Sequence, residues 1–255
     1  MLALLSPAKK MDFDSELVIP DAVKKHFAPE LTEKLVLLAR LLNVEDVKKL
    51  MKVSDSLAES TCKNFNEFSF SEKTGRTRPA AFAFKGETYK GLYIDLLNKE
   101  ELVFAETNIR ILSGLYGVLS PLTLIEPYRF EMGLRFEVGE FKKISDFWKI
   151  AVTNELNRLL EKSDDKKIIN LASAEYMAVI DKKRLEADIV DIAFHENRDG
   201  KLKTISTFSK KARGMMAHYI IRNKITDFRQ LKHFSSENYR YEERLSDENY
   251  FVFVR

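Results

Sequence analysis

Lys9, Tyr128, Arg129 and Glu131 are side chains of the types that bind an anion and move protons. An ammonium and a guanidinium pair with phosphate or carboxylate oxygens, and a carboxylate beside an arginine is a candidate general base. Arg129 and Glu131 serve equally well as an ion pair that holds a turn, so residue type alone leaves both roles open. Lys9 stands beside Lys10 just after an apolar run, Leu2–Leu5, that is closed by Ser6 and Pro7. Lys85 ends a second apolar run, with Gly86 behind it. Strand ends fix the turns that follow them, which makes them good places to present such groups. A third basic cluster, Lys210, Lys211 and Arg213, precedes the helical run 215–223. Read as the opening of that helix, these cations oppose the macrodipole, and an anion held by the terminal amides would offset them.

The elements that must carry these groups are legible from periodicity and punctuation. Leu2–Leu5 reads as a short core strand, and 29–67 as a run of helices with Asn43 as a cap and Asp46 in the first turn. Residues 80–84 read as an apolar strand. Asn98 caps a helix that continues to Leu112 and feeds the glycine-punctuated turn Ser113-Gly114-Leu115-Tyr116-Gly117. Gly114 and Gly117 can take positive φ or let a backbone or a phosphate come close. Pro121 and Pro127 then forbid a long helix. A helix at 147–160, a strand at 167–172 and a short helix opened by Ser173 come next. Strands at 187–194 and 202–208 join through a hairpin turn at Asp199-Gly200. The chain ends in a strand, 250–254. The plain reading of 109–136 is a well-packed crossover between elements.

Residues 1–255 therefore read as one α+β domain, a mixed sheet with surrounding helices. Lys and Arg number 42 against 39 Asp and Glu, a net charge of +3, so any basic surface has to come from local clustering. Cys62 is the single cysteine and reads as a small buried hydrophobe. No disulfide is possible within the chain, and a reducing compartment fits. No apolar run approaches the ~18 residues that span a bilayer. The chain reads as cytoplasmic, with no membrane partner. The histidines lack ligand spacing and no nucleotide-binding glycine motif is present, so no metal and no cofactor is expected.

Several motifs carry a resemblance that covers the whole chain. They are S-P-A-K-K at 6–10, F-K-G-E-T-Y-K-G-L at 84–92, L-S-G-L-Y-G-V-L-S-P-L at 112–122 and P-Y-R-F-E-M-G at 127–133, with I-N-L-A-S-A-E-Y at 169–176 and S-K-K-A-R-G-M-M at 209–216. In that order they resemble the YaaA family of bacterial peroxide-stress proteins. The resemblance implies a cytosolic role in the response to hydrogen peroxide, with lower free intracellular iron. It also implies a single α+β fold with a basic cleft and a helix-hairpin-helix-like element that binds duplex DNA. Lys9, Lys10, Lys85, Arg129, Lys210, Lys211 and Arg213 match family motif positions and become the cations expected around that cleft. Gly114 and Gly117 become the hairpin, although they lie three apart where an ordinary helix-hairpin-helix spaces its glycines by two.

Two functions follow as expectations. The first is a stress protein that binds double-stranded DNA through phosphate contacts and limits oxidative, iron-dependent damage. The second is an enzyme acting on a nucleic-acid base, a nucleotide or another phosphate-bearing small molecule, with Lys9, Tyr128, Arg129 and Glu131 as its candidate machinery. A deep pocket around Lys9 and Glu131 would favour the enzyme, and an open groove lined by Gly114 and Lys211 would favour DNA.

Overall fold

Leu2–Leu5 is apolar at every position without polar alternation, the pattern of a strand covered on both faces. It forms the inner strand β1 of the main sheet, with Leu4 and Leu5 fully out of water. The computed structural model describes residues 1–16, 26–70, 76–163 and 165–255. After β1 come β2 (Lys10–Met11) and the helices α1 (Pro29–Ala39), α2 (Val44–Met51) and α3 (Asp55–Asn66). Next are β3 (Arg78–Pro79), a single helical turn α4 (Ala80–Ala83), β4 (Phe84–Lys85), α5 (Glu87–Leu92) and α6 (Lys99–Asn108). The middle of the chain holds β5 (Ile109–Ser113), β6 (Gly117–Leu119), β7 (Leu124–Ile125) and the long α7 (Ile144–Leu160). The last part holds β8 (Lys167–Leu171), α8 (Ala174–Met177), β9 (Asp188–Arg198), β10 (Lys201–Lys203), α9 (Ser206–Arg222), β11 (Arg240–Tyr241) and β12 (Tyr250–Val254).

The main sheet runs β11-β12-β9-β8-β1-β5-β6, with β10 paired to β9. Its inner strands β12, β9, β8, β1 and β5 are parallel, and β11, β10 and β6 are antiparallel additions. Two short ladders, β2–β4 and β3–β7, lie off this sheet. The chain is thus a single α+β domain built on a mixed sheet with helices around it. Among the described residues no helix is long and apolar enough to cross a membrane.

Local chemistry explains the boundaries that the sequence marked. Asn43 and Asn98 each close a reciprocal capping box, with Asp46 and Glu101 respectively, so the first orphan amides of α2 and α6 are satisfied. Asp199 and Gly200 turn between β9 and β10 with φ of +53° and +77°, the left-handed pair a tight hairpin needs.

Four expectations are corrected. The helix capped by Asn98 stops at Asn108, and residues 109–113 are the fully buried strand β5. Residues 80–84 are not a strand: Ala80–Ala83 is helical, and its first amides donate to the carbonyls of Thr123 and Pro121. The returning strand ends at Lys203, because Ser206 already opens α9. Lys210, Lys211 and Arg213 therefore sit inside α9, past its first turn, and the argument for an anion on their helix terminus lapses.

Helices α5 and α9 cross in direct backbone contact. A Cβ at Gly214 would stand 1.8 Å from the Thr88 carbonyl oxygen, and one at Gly91 would stand 2.2 Å from that of Lys211. Only glycine allows this approach. Gly214→Ala gains about 1 kcal/mol of helix propensity but must separate the helices, so urea unfolding should show a net loss of roughly 1–3 kcal/mol.

Candidate functional site

Parallel strands deliver their C-terminal ends to one edge of a sheet, where open α/β sheets place ligands. Here β1 delivers Ser6 to Lys9, β5 delivers Ser113 and β8 delivers Ser173 with α8 behind it. The strand ends are tied together. The Ser173 amide donates to Ser6 Oγ at 2.9 Å, and the Tyr89 hydroxyl donates to the Ser6 carbonyl at 3.1 Å. Ser113 Oγ accepts from the Tyr116 amide at 3.1 Å and shares a 2.7 Å hydrogen bond with the Tyr128 hydroxyl.

The glycine turn has a different role from the one expected of it. Gly114 and Gly117 join two strands, β5 and β6, so this element is a β-hairpin and not a helix-hairpin-helix. Both glycines are buried. A Cβ at Gly114 would lie 2.3 Å from the Phe130 carbonyl oxygen and 2.8 Å from the Glu131 carbonyl carbon. Gly117, at φ +71°, lies under the Trp148 ring, and Trp148 Nε1 donates to the Gly114 carbonyl at 2.8 Å. The close approach permitted by these glycines is therefore to protein, and its product is the placement of segment 128–131 over the strand ends.

That segment meets the β1 turn in a small cleft lined by Ala8, Lys9, Met11, Arg129, Glu131 and Tyr176. Its free space is about 20 Å³, room for one water-sized group. Glu131 Oε1 lies 3.2 Å from Arg129 Nη2 and 3.4 Å from Lys9 Nζ. The partners differ in exposure: the Lys9 side chain is 67% exposed, against 18% for Arg129 and 11% for Glu131. Glu131 Oε2 and Arg129 Nε are both shut away from water without a hydrogen-bond partner. Leaving such an atom unpaired costs roughly 1–3 kcal/mol, so this floor holds one acceptor and one donor in want of a ligand or a water.

The walls are phenolic. Burial pushes the Tyr89, Tyr128 and Tyr176 hydroxyls above the ordinary tyrosine range, and each feels the others or Glu131 as a further unfavourable charge. They stay protonated near neutral pH, so Tyr128 is a hydrogen-bonding wall residue rather than a ready base. The Gly133 amide donates to Glu175 Oε1 at 3.2 Å, which anchors segment 128–133 to α8.

The outer cations divide. Lys10 stands directly opposite Lys85 in the β2–β4 ladder, with Lys85 Nζ 3.7 Å from Asp12. Like charges directly opposite one another are unfavourable in a ladder. Hydrogen bonds from Ser15 hold the Asp12 carboxyl well below its usual range, so it is ionised beside them. Lys210 is exposed on α9, while Lys211 is bound to Glu237. Arg213 is largely buried, its guanidinium disfavoured by desolvation and partly compensated by Asp191. The structure thus gathers Lys9, Lys10, Lys85, Tyr128, Arg129 and Glu131 and leaves Lys210, Lys211 and Arg213 on a separate helix. Ser6, Tyr89, Ser113, Ser173 and Tyr176 belong to the site and were not singled out from sequence. Serines and an aromatic after apolar runs were their only signal.

A family model described as peroxide stress protein YaaA matches residues 1–245. The chain belongs to this family. Two relatives, UPF0246 proteins from Aliivibrio fischeri strains MJ11 and ATCC 700601 / ES114, are each 42% identical over 255 residues, covering 100% of this chain and 98% of the relative. Family membership thus extends over both the strand-end turn that carries Lys9 and the segment that carries Arg129 and Glu131. Among the described residues no cluster of three or more His, Cys, Asp or Glu side chains could hold a metal ion.

The exposure difference across the Lys9–Glu131–Arg129 group separates two kinds of residue. Lys9→Met should leave stability within about 0.5 kcal/mol of wild type, as for other exposed pairs. Glu131→Leu strands the half-buried Arg129 and should cost roughly 2–4 kcal/mol. Denaturant midpoints of the two variants measure the contrast.

Proposed function

We propose that this chain acts in the cytoplasmic response to hydrogen peroxide by binding duplex DNA along the cationic rim of its strand-end cleft, limiting iron-dependent oxidative damage. The observation that carries the reading is the placement of Lys10 and Lys85 on the paired strands β2 and β4, with Lys9 just before β2 sharing Glu131 with Arg129. Exposed lysines at fixed spacing contact phosphates without reading sequence, and the like-charged Lys10–Lys85 pair is relieved by a polyanion. Gly114, Gly117 and Arg213 take no part in phosphate contact in this reading, since they are wholly or largely buried. The net charge of +3 keeps the affinity modest.

Binding of a labelled short duplex across a salt series tests this. Engagement of Lys9, Lys10 and Lys85 gives a slope of log K against log salt of about −3. Lys9→Ala with Lys10→Ala should reduce the steepness by about two units while leaving the fold intact. Salt-independent binding, or a slope unchanged in the double variant, would remove the rim from the interface.

One observation favours a second reading at the same place. The enclosed, partnerless oxygen of Glu131 beside Arg129 is the arrangement expected of an enzyme acting on a nucleobase, nucleotide or other phosphate-bearing small molecule. In that case Glu131→Gln abolishes turnover while duplex binding persists.

A further inference from the structure

The floor of the cleft defines a ligand more narrowly than its rim does. Glu131 is 8% exposed, and its Oε2 accepts nothing; Arg129 Nε, on the same cleft, donates to nothing. A single group satisfies both only if it offers an N–H or O–H donor next to an acceptor. Tyr128, Phe130, Tyr176 and Met11 supply flat or apolar walls around that pair. With Lys9 in place the space admits only a water-sized group. Lys9, however, is held by one ion pair that is given up at little cost, its own side chain being largely exposed where that of Glu131 is not. Displacing Lys9 leaves both partners of the Arg129–Glu131 contact in place.

We propose that this floor binds the lactam edge of a planar heterocycle, a ring carbonyl beside a ring N–H as in uracil or hypoxanthine, with Lys9 as its gate. The carbonyl oxygen accepts from Arg129 Nε–H and the ring N–H donates to Glu131 Oε2. The inference deepens the proposed function, resting on the same cleft, but it does not require duplex binding. The heterocycle can arrive as a free nucleoside or as an unpaired base carried by a nucleic acid whose phosphates draw Lys9 outward. A base already out of its stack is the form a pocket of this kind can receive.

Chemical-shift titration of the full chain tests the edge and its source together. The probes are uridine and inosine, their ring-N-methylated counterparts 3-methyluridine and 1-methylinosine, and duplexes bearing one unpaired uridine or one unpaired 3-methyluridine. Methylation removes the donor and keeps the carbonyl, so it should weaken binding at least about tenfold wherever the unmethylated form binds. Arg129→Lys, which keeps the charge but lacks Nε–H, should lose a similar factor. Binding by the nucleosides assigns the source to free ligand, and a preference confined to the duplex assigns it to nucleic acid. If neither source binds at millimolar concentration, or if methylation and Arg129→Lys change nothing, a resident water alone satisfies the floor and the proposal fails. A chain that binds every duplex alike retains the DNA reading and loses this one. Nucleoside selectivity without duplex affinity does the reverse.

Discussion

The contact on which the rest of the site depends is the backbone of Phe130 and Glu131 lying against Gly114. A methyl group at that position would stand inside the Phe130 carbonyl, and interiors packed at crystal density have no slack to absorb it. Trp148 closes the arrangement from below by donating to the Gly114 carbonyl and covering Gly117. The hairpin turn thus works as a seat. It sets the height of segment 128–131 above the ends of β1, β5 and β8, and with it the meeting of Arg129, Glu131 and Lys9.

Charge follows from that geometry. Segment 128–131 brings a carboxylate down among buried phenols, where an unpaired anion is costly, and Arg129 and Lys9 supply the positive field that makes it tolerable. The neutralisation is asymmetric, with one partner half-buried and one nearly free. A fixed Arg–Glu unit with a removable ammonium over it is better suited to admitting ligands than a closed ion triad would be. The second basic cluster is spent differently: Lys211 ties α9 to Glu237 and Arg213 faces inward near Asp191.

What could be read in the sequence was what depends on neighbours along the chain. The uninterrupted Leu2–Leu5, the Asn43 and Asn98 capping boxes and the Asp199-Gly200 turn all act over a few residues, and all were legible. Two of the misread segments have backbone partners far along the chain. Ala80–Ala83 is short and apolar, equally compatible with helix and strand, and the carbonyls of Pro121 and Thr123 decide between them. Ile109–Ser113 continues the apolar pattern of α6 without a break signal, yet pairs with β1 in the sheet. At the site, Lys9, Arg129 and Glu131 announced themselves by type. The tyrosines and serines beneath them did not, because nothing local distinguishes a core tyrosine from one that lines a cleft. The glycines were conspicuous, but a sequence records that something approaches a glycine and not what approaches.

If the rim holds phosphate as proposed, the Lys10–Lys85 ladder gives the protein two opposite responses to ionic strength. Small ions screen the repulsion across β2 and β4 and so favour the pairing of these two-residue strands. The same ions compete with a polyanion for the rim. Under the proposed phosphate contact, dilute medium would loosen the empty β2–β4 ladder while tightening the rim's hold on a phosphate chain, and concentrated medium would do the converse. Folding of this small ladder and any occupation of the rim are then linked equilibria, so a bound polyanion would take over the role that salt plays in its absence.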